Sequence, residues 1–228
     1  MLKHLKGLKF PDIYVVRFFF KEELFKIPER EKTVVEFGCG NGNNLALFYE
    51  YDYKCLGIDI SEICLANAVF NFNNFFLSEH GNFSFKKVDL NDINSIAKVL
   101  EESRTKFKIF MFPNSLYYLR KKKFANLLEI LPQFLQNEGF FFVRFRSPRD
   151  SRVFGAEKIG NNEFLIKSNV SGEEGAVLSV YDEHEMVKLL NKYLNIFDIK
   201  VFHVYEENLY TDRKLINADI VIWGKYQI

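Results

Sequence analysis

The chain has 228 residues, 48% of them hydrophobic, and its 31 Lys and Arg against 30 Asp and Glu give a formal net charge of +1. This length and apolar content fit a single α/β domain over 1–228, and the near-zero charge excludes the broad basic field of a nucleic-acid binder. Cys39, Cys55 and Cys64 lack paired metal-ligand spacing, so reduced core thiols in a cytoplasmic protein are expected, with no disulfide frame and no metal site.

Residues 1–10 contain no long apolar run, so neither a secretory signal nor a membrane span is expected. After Pro11, Ile13 to Val16 and Phe18 to Phe20 form an apolar face opposite Arg17, Lys21, Glu22 and Glu23. This pattern predicts a helix within an N-terminal cap over 1–31, with Pro11 as its first residue and Pro28 ending it. From Lys32 to Ile109 short apolar runs alternate with helical patterns. Strands are expected to Phe37, Ile58 and Val88 and from Lys108, with helices from Asn43, Ser61 and Asn91. That rhythm predicts a parallel sheet whose carboxyl edge collects the functional residues.

The first strand runs into Glu36-Phe37-Gly38-Cys39-Gly40-Asn41-Gly42-Asn43, and Asp59 ends the next apolar run. Glycines let the backbone turn sharply and approach a ligand, while an acidic residue ending the following strand accepts ribose hydroxyl protons. The dinucleotide fingerprint fails because Asn43 stands where its third glycine belongs, and the P-loop fails because no Gly-Lys-Ser/Thr follows. Glu36 inside the turn suits a cationic group and repels a pyrophosphate.

In Glu36 to Gly42 and in Asp59 the chain resembles the class I S-adenosylmethionine-dependent methyltransferases, and three later segments extend the likeness. They are Val88-Asp89-Leu90, the strand and loop Phe110 to Ser115, and the turn Gln136 to Gly139 before Phe140 to Val143. The resemblance implies a Rossmann-like seven-stranded, mostly parallel sheet with an antiparallel last strand and helices on both faces. It implies S-adenosylmethionine as cofactor and S-adenosylhomocysteine as product. By this likeness Glu36, Gly38, Cys39, Gly40, Gly42 and Asn43 surround the methionine and ribose, and Asp59 and Ile60 take the ribose. Asp89 and Leu90 take the adenine, and Pro113 belongs to the loop facing the methyl group.

That loop, Pro113 to Tyr118, lacks the acidic-Pro-Pro-aromatic tetrad of amino methylation, which removes support for methylation of Asn, Gln or DNA adenine. Asn114 and Tyr117 are candidates to orient an acceptor, and adjacent tyrosines at a helix start serve equally as core or cap residues. Arg120 to Lys123 opens a helix ending at Pro132 and reads as a solvated face or as a docking patch.

The fifth strand runs into Arg144, Arg146, Arg149 and Arg152, the first two on one face by alternation. Such groups need solvent, a carboxylate such as Asp150, Glu157 or Glu163, or an anionic ligand. Residues 147–181 form an insertion on the substrate side, with a hairpin of strand-like pieces at 164–166 and 177–180. Asp182 to Glu185 starts a last helix whose His184 is the candidate base. Two closing strands follow around 199–205 and 218–223.

The expectation is a methyltransferase for a small anionic metabolite, phosphorylated or nucleotide-linked, methylated at oxygen. The rivals are a tRNA or protein methyltransferase using Lys121 to Lys123, and a non-catalytic subunit that keeps the fold. The sequence sets no oligomeric state.

Overall fold

The computed structural model describes residues 2–167, 172–209 and 214–228. Seven strands, β1 (Thr33–Phe37), β2 (Lys54–Asp59), β3 (Asn82–Lys87), β4 (Phe107–Phe112), β5 (Leu135–Arg146), β9 (Asn195–Leu209) and β10 (Lys214–Gln227), form one sheet. Their order is β3-β2-β1-β4-β5-β10-β9. β1 to β5 are parallel, and β10 enters between β5 and β9 antiparallel to both. The expected architecture is therefore the observed one.

Alternation along each strand divides the core. Val35, Phe110, Phe141 and Ile222 pack with α4 (Ile93–Glu102), α5 (Lys121–Ile130) and α6 (Glu183–Tyr193). Val34, Ile109, Phe142, Val221 and Trp223 pack with α1 (Ile13–Lys21), α2 (Asn43–Tyr49) and α3 (Glu62–Asn74). Strands covered on both faces need apolar residues at successive positions, which is why the runs read as continuous rather than alternating.

Several boundaries differ from the sequence reading. Asp12 caps α1, its side chain accepting from the Tyr14 amide at 2.8 Å, so Pro11 lies outside the helix. The helix stops at Lys21, ahead of a left-handed Glu23 (φ 52°), well before Pro28. The supposed turn Gln136 to Gly139 is part of β5. A Cβ at Gly139 would sit 2.1 Å from the Lys108 carbonyl oxygen and 2.4 Å from the Tyr226 hydroxyl, so glycine there reflects close strand approach rather than a turn.

The insertion carries three strands, β6 (Glu157–Gly160), β7 (Glu163–Leu165) and β8 (Val177–Ser179), where a hairpin was expected; its residues 168–171 lie outside the described ones. Polar Glu-Lys-Ile-Gly gave no alternation from which to foresee β6. At the neck of the insertion the Tyr181 amide donates to the Arg146 carbonyl at 3.0 Å, so the segment leaves and rejoins the fold at one place. Ile166, Leu178 and Val180 then pack on Tyr117.

Gly139→Ala is expected to lower stability by about 1–3 kcal/mol through overpacking against backbone. Urea unfolding with an unchanged slope and a lower midpoint is the expected result, and an unchanged midpoint would mean β4 and β5 are free to part.

Candidate cofactor and acceptor site

The turn after β1 uses left-handed glycines, Gly38, Gly40 and Gly42, at φ 76°, 52° and 74°. A Cβ on Gly38 would fall 2.2 Å from the Ser115 Cβ, so glycine is what lets this turn close on the loop after β4. Ser115 Oγ fastens that contact by donating to the Phe37 carbonyl. Asp59, at the end of β2, accepts from the Gly40 amide through Oδ2 and from the Ser61 amide through Oδ1, both at 2.8 Å. Asp89 takes the Asn91 amide and side chain on Oδ1, at 2.8 and 3.0 Å.

Of the turn and strand-end residues, Gly38, Asp59 and Asp89 converge on a cavity of about 420 Å³, lined also by Ile60, Leu90, Asn91, Asn114, Ser115, Tyr118 and Leu119, whereas Glu36, Gly40 and Gly42 do not line it. Beside the glycine turn, Glu36 is 1% exposed. Its Oε1 accepts from Asn44 Nδ2 at 2.7 Å, while Oε2 has no partner among the described residues. Burial raises its carboxyl to about 8; Asn44 works against that shift and the charges of Asp59 and Asp12 add to it. A buried carboxylate oxygen without a donor is matched to a cation.

Among the expected cofactor residues, Gly38, Asp59, Ile60, Asp89 and Leu90 line the cavity, and Gly40 holds Asp59. Asn43 instead holds the N-terminal segment, donating to the Phe10 carbonyl at 2.9 Å. Cys39 and Pro113 are buried without lining the cavity. Burial pushes the Cys39 and Cys55 thiols well up, which suits packing rather than nucleophilic chemistry.

The acceptor side departs further from expectation. Asn114 lines the cavity, but Tyr118 takes the place foreseen for Tyr117, whose buried ring lies 4.6 Å beneath the Arg146 guanidinium. His184 and Arg149 line a separate hollow with His203 and Ile220, and that hollow shares no residue with the cavity.

Arg144, Arg146 and Arg152 are engaged with carboxylates. Arg144 donates Nε and Nη2 to Asp219 Oδ2 at 2.8 and 2.6 Å, and Nη1 to Asp12 at 2.6 Å. Arg146 donates Nη1 to Asp219 Oδ1 at 2.6 Å and stands 3.8 Å from Asp150. Arg152 donates Nη1 to Asp150 at 3.1 Å and Nε to Glu173, which also accepts the Tyr118 hydroxyl. Strand register explains the centre of this ladder, since Asp219 of β10 lies directly opposite Arg146 of β5. Sequence reasoning missed Asp12, Asp219 and Glu173 because they lie far from the arginines along the chain; it missed Asn44 although the helix after the glycine turn was foreseen.

A family profile described as a methyltransferase domain matches residues 16–193. The chain belongs to that family. Solved structures of similar fold include an S-adenosylmethionine-dependent methyltransferase from Methanosarcina mazei, at 15% identity and a TM-score of 0.64, covering 89% of this chain and 96% of the other. Another, from Clostridium acetobutylicum, has 16% identity and a TM-score of 0.63 over 95% and 92% of the two chains. Magnesium protoporphyrin IX methyltransferase from Synechocystis, solved with S-adenosylhomocysteine, has 13% identity and a TM-score of 0.61 over 94% and 80%. No curated protein matches the chain in sequence. S-adenosylmethionine is the cofactor this methyltransferase family implies, and the orphaned Glu36 oxygen and the Gly38 cradle fit it.

Two outcomes follow for ionisation and pairing. The folded ligand-free protein holds the Glu36 proton to about pH 8, whereas the unfolded chain releases it near the ordinary value of 4.5. Its stabilising contribution is therefore complete below about pH 4.5 and drains away as pH rises to about 8, at up to about 1.4 kcal/mol per pH unit. Glu36→Gln is expected to remove that slope from thermal melts, and an identical slope would place the titration elsewhere. Asp219→Ala strips both arginines of their shared partner and should cost about 3–5 kcal/mol, as for other broken buried pairs; a loss below 1 kcal/mol in chemical denaturation would show that the ladder is dispensable.

Proposed function

We propose that this methyltransferase moves the methyl group of S-adenosylmethionine to a hydroxyl of a small molecule bound between the cavity and the 147–181 insertion. The observation that carries this reading is the gathering of Gly38, Asp59 and Asp89 on one cavity, with the unpartnered Glu36 oxygen two residues before Gly38 in the chain. The cofactor supplies an electrophilic methyl and a neutral thioether leaving group. The chain supplies binding and alignment: Glu36 for the ammonium, Asp59 for the ribose hydroxyls, Asp89 for the adenine amino group, and Asn114 with Tyr118 for the attacking oxygen.

Oxygen is favoured because the loop from Pro113 lacks the tetrad of amino methylation. Tyr118, already donating to Glu173, has a lone pair for the acceptor hydroxyl. With three of the four arginines held by carboxylates and Arg149 in the separate hollow, an uncharged or cationic acceptor replaces the phosphorylated or nucleotide-linked one expected from sequence. A basic track for tRNA loses support as well, since Lys121 bonds Glu185 at 2.5 Å. A cytoplasmic setting belongs to the same proposal; among the described residues no helix is long and apolar enough to cross a membrane.

Calorimetry tests the cofactor. S-adenosylmethionine and S-adenosylhomocysteine should bind in the micromolar range and NAD and ATP should not. Asp59→Ala should lose two charge-assisted hydrogen bonds of about 1.5–3 kcal/mol each, a weakening of at least about a hundredfold. Unchanged affinity in that variant would sink the assignment.

A further inference from the structure

Asparagine side chains tie residues 6–12 to the outside of the fold. Asn71 of α3 accepts the Lys6 amide on Oδ1 and donates Nδ2 to the Lys6 carbonyl, both at 2.9 Å. Gly7 lies against Asn41, which accepts from Asn67 of α3 at 3.2 Å. Asn43 and Asn44 then take the Phe10 carbonyl and the Asp12 amide, at 2.9 and 2.8 Å. The segment thus passes along α3 to the start of α2.

Its side chains face outward. Leu8, Phe10 and Ile13 on the segment, with Ile60 and Ile63 around the start of α3, are each at least 59% exposed. Glu62 is the one charged residue of the thirteen in α3, whose solvent side carries Ile63, Ala66 and Val69. Single exposed apolar residues are ordinary, but a group of them rimmed by charge of one sign marks an interaction surface. That sign is positive. Lys3, Lys6 and Lys9 recur at every third position and have no ion-pair partner among the described residues, while the acids nearby are met: Asp12 by Arg144, Glu62 by Lys87, and Asp59 by the Gly40 and Ser61 amides.

The charge pattern selects the occupant. Two copies of the chain joined here would set one group of lysines against another. Protein interfaces are poor in lysine and use directional hydrogen bonds, whereas the backbone groups at Lys6, Phe10 and Asp12 are already taken. A lipid surface asks only for apolar side chains that enter the headgroup boundary and for lysine stems that leave their ammonium groups among anionic headgroups. We infer that residues 3–13 and the start of α3 form a docking surface for an anionic membrane. Ile60 belongs to this surface and also lines the cavity, so docking brings the cavity to the lipid boundary.

Flotation of the full chain with vesicles of phosphatidylcholine, alone or mixed with phosphatidylglycerol, tests the assignment. The mixed vesicles should be preferred by about a hundredfold, the scale of three basic residues at roughly fivefold each, and added salt should shrink that preference. Lys3→Gln, Lys6→Gln and Lys9→Gln together should remove most of it. Leu8→Ser with Phe10→Ser should weaken binding to the mixed vesicles at least about tenfold without lowering the melting temperature, since both side chains are exposed. Lys122→Gln with Lys123→Gln, on α5 across the sheet, should bind as the unaltered protein does.

Equal binding to both vesicle types, or binding to neither, overturns the inference, as does a preference that survives the three N-terminal replacements or vanishes with those on α5. A lipid-free dimer that Leu8→Ser with Phe10→Ser dissociates in ultracentrifugation gives the face to a second copy and overturns it too. The ranking of vesicles by the unaltered protein decides the matter even if a variant fails to fold. S-adenosylhomocysteine binding is measured separately, and its failure removes the cofactor reading while leaving the docking surface standing.

Discussion

Asp219 is the residue through which the carboxyl end of β5, the N-terminal segment and the start of the insertion are tied together. One of its oxygens receives two N–H groups of Arg144 and the other receives Arg146, and it is 2% exposed. Withdrawing a carboxylate and two guanidinium groups from water costs several kcal/mol per ion, which only multiple short contacts can offset. The antiparallel entry of β10 provides them by placing Asp219 across from Arg146. With those charges met, the carboxyl end of β5 tolerates polar residues where a covered strand is ordinarily apolar. The N-terminal segment at Asp12 and the loop at Asp150 are secured by the same arginines.

Glu36 shows what happens to a buried carboxylate without such partners. It is as deeply enclosed as Asp219, yet its one donor among the described residues is the neutral amide of Asn44, and it holds its proton to about pH 8. The fold thus makes one acidic group part of its own framework and leaves another incomplete beside the glycine turn. Such an incomplete group is preorganised for a cationic ligand, because the protein has already paid for its desolvation.

The parts of this arrangement legible in the sequence are those that depend on neighbours in the chain. Glu36 to Gly42, Asp59 and Asp89 each stand at a strand end, so a short motif carries both the turn and the ligand chemistry. Ladder partners follow a different rule. Arg144 meets Asp219 and Asp12, residues 75 and 132 positions away, and no local pattern distinguishes those aspartates from others. Of the nearby candidates Asp150, Glu157 and Glu163, only Asp150 joins the arginines; Glu157 pairs with Lys167 and Glu163 accepts from the Lys121 amide. Which of Tyr117 and Tyr118 faces the cavity was equally hidden, since the short 3-10 turn at Leu116–Tyr118 turns one ring inward under Arg146 and leaves the other on the wall.

The neck of the insertion has a consequence for how such an enzyme diversifies. Because Tyr181 pairs with Arg146, the intervening segment begins and ends at a single point on the sheet, and beyond its ladder residues Asp150 and Arg152, changes of length or sequence within it need not disturb β5 or α6. The glycine turn, Asp59 and Asp89 lie wholly outside it. On the function proposed above, inheritance of the cofactor apparatus and innovation in the acceptor would fall to separate stretches of chain, so a lineage could change what it modifies while conserving how it is powered.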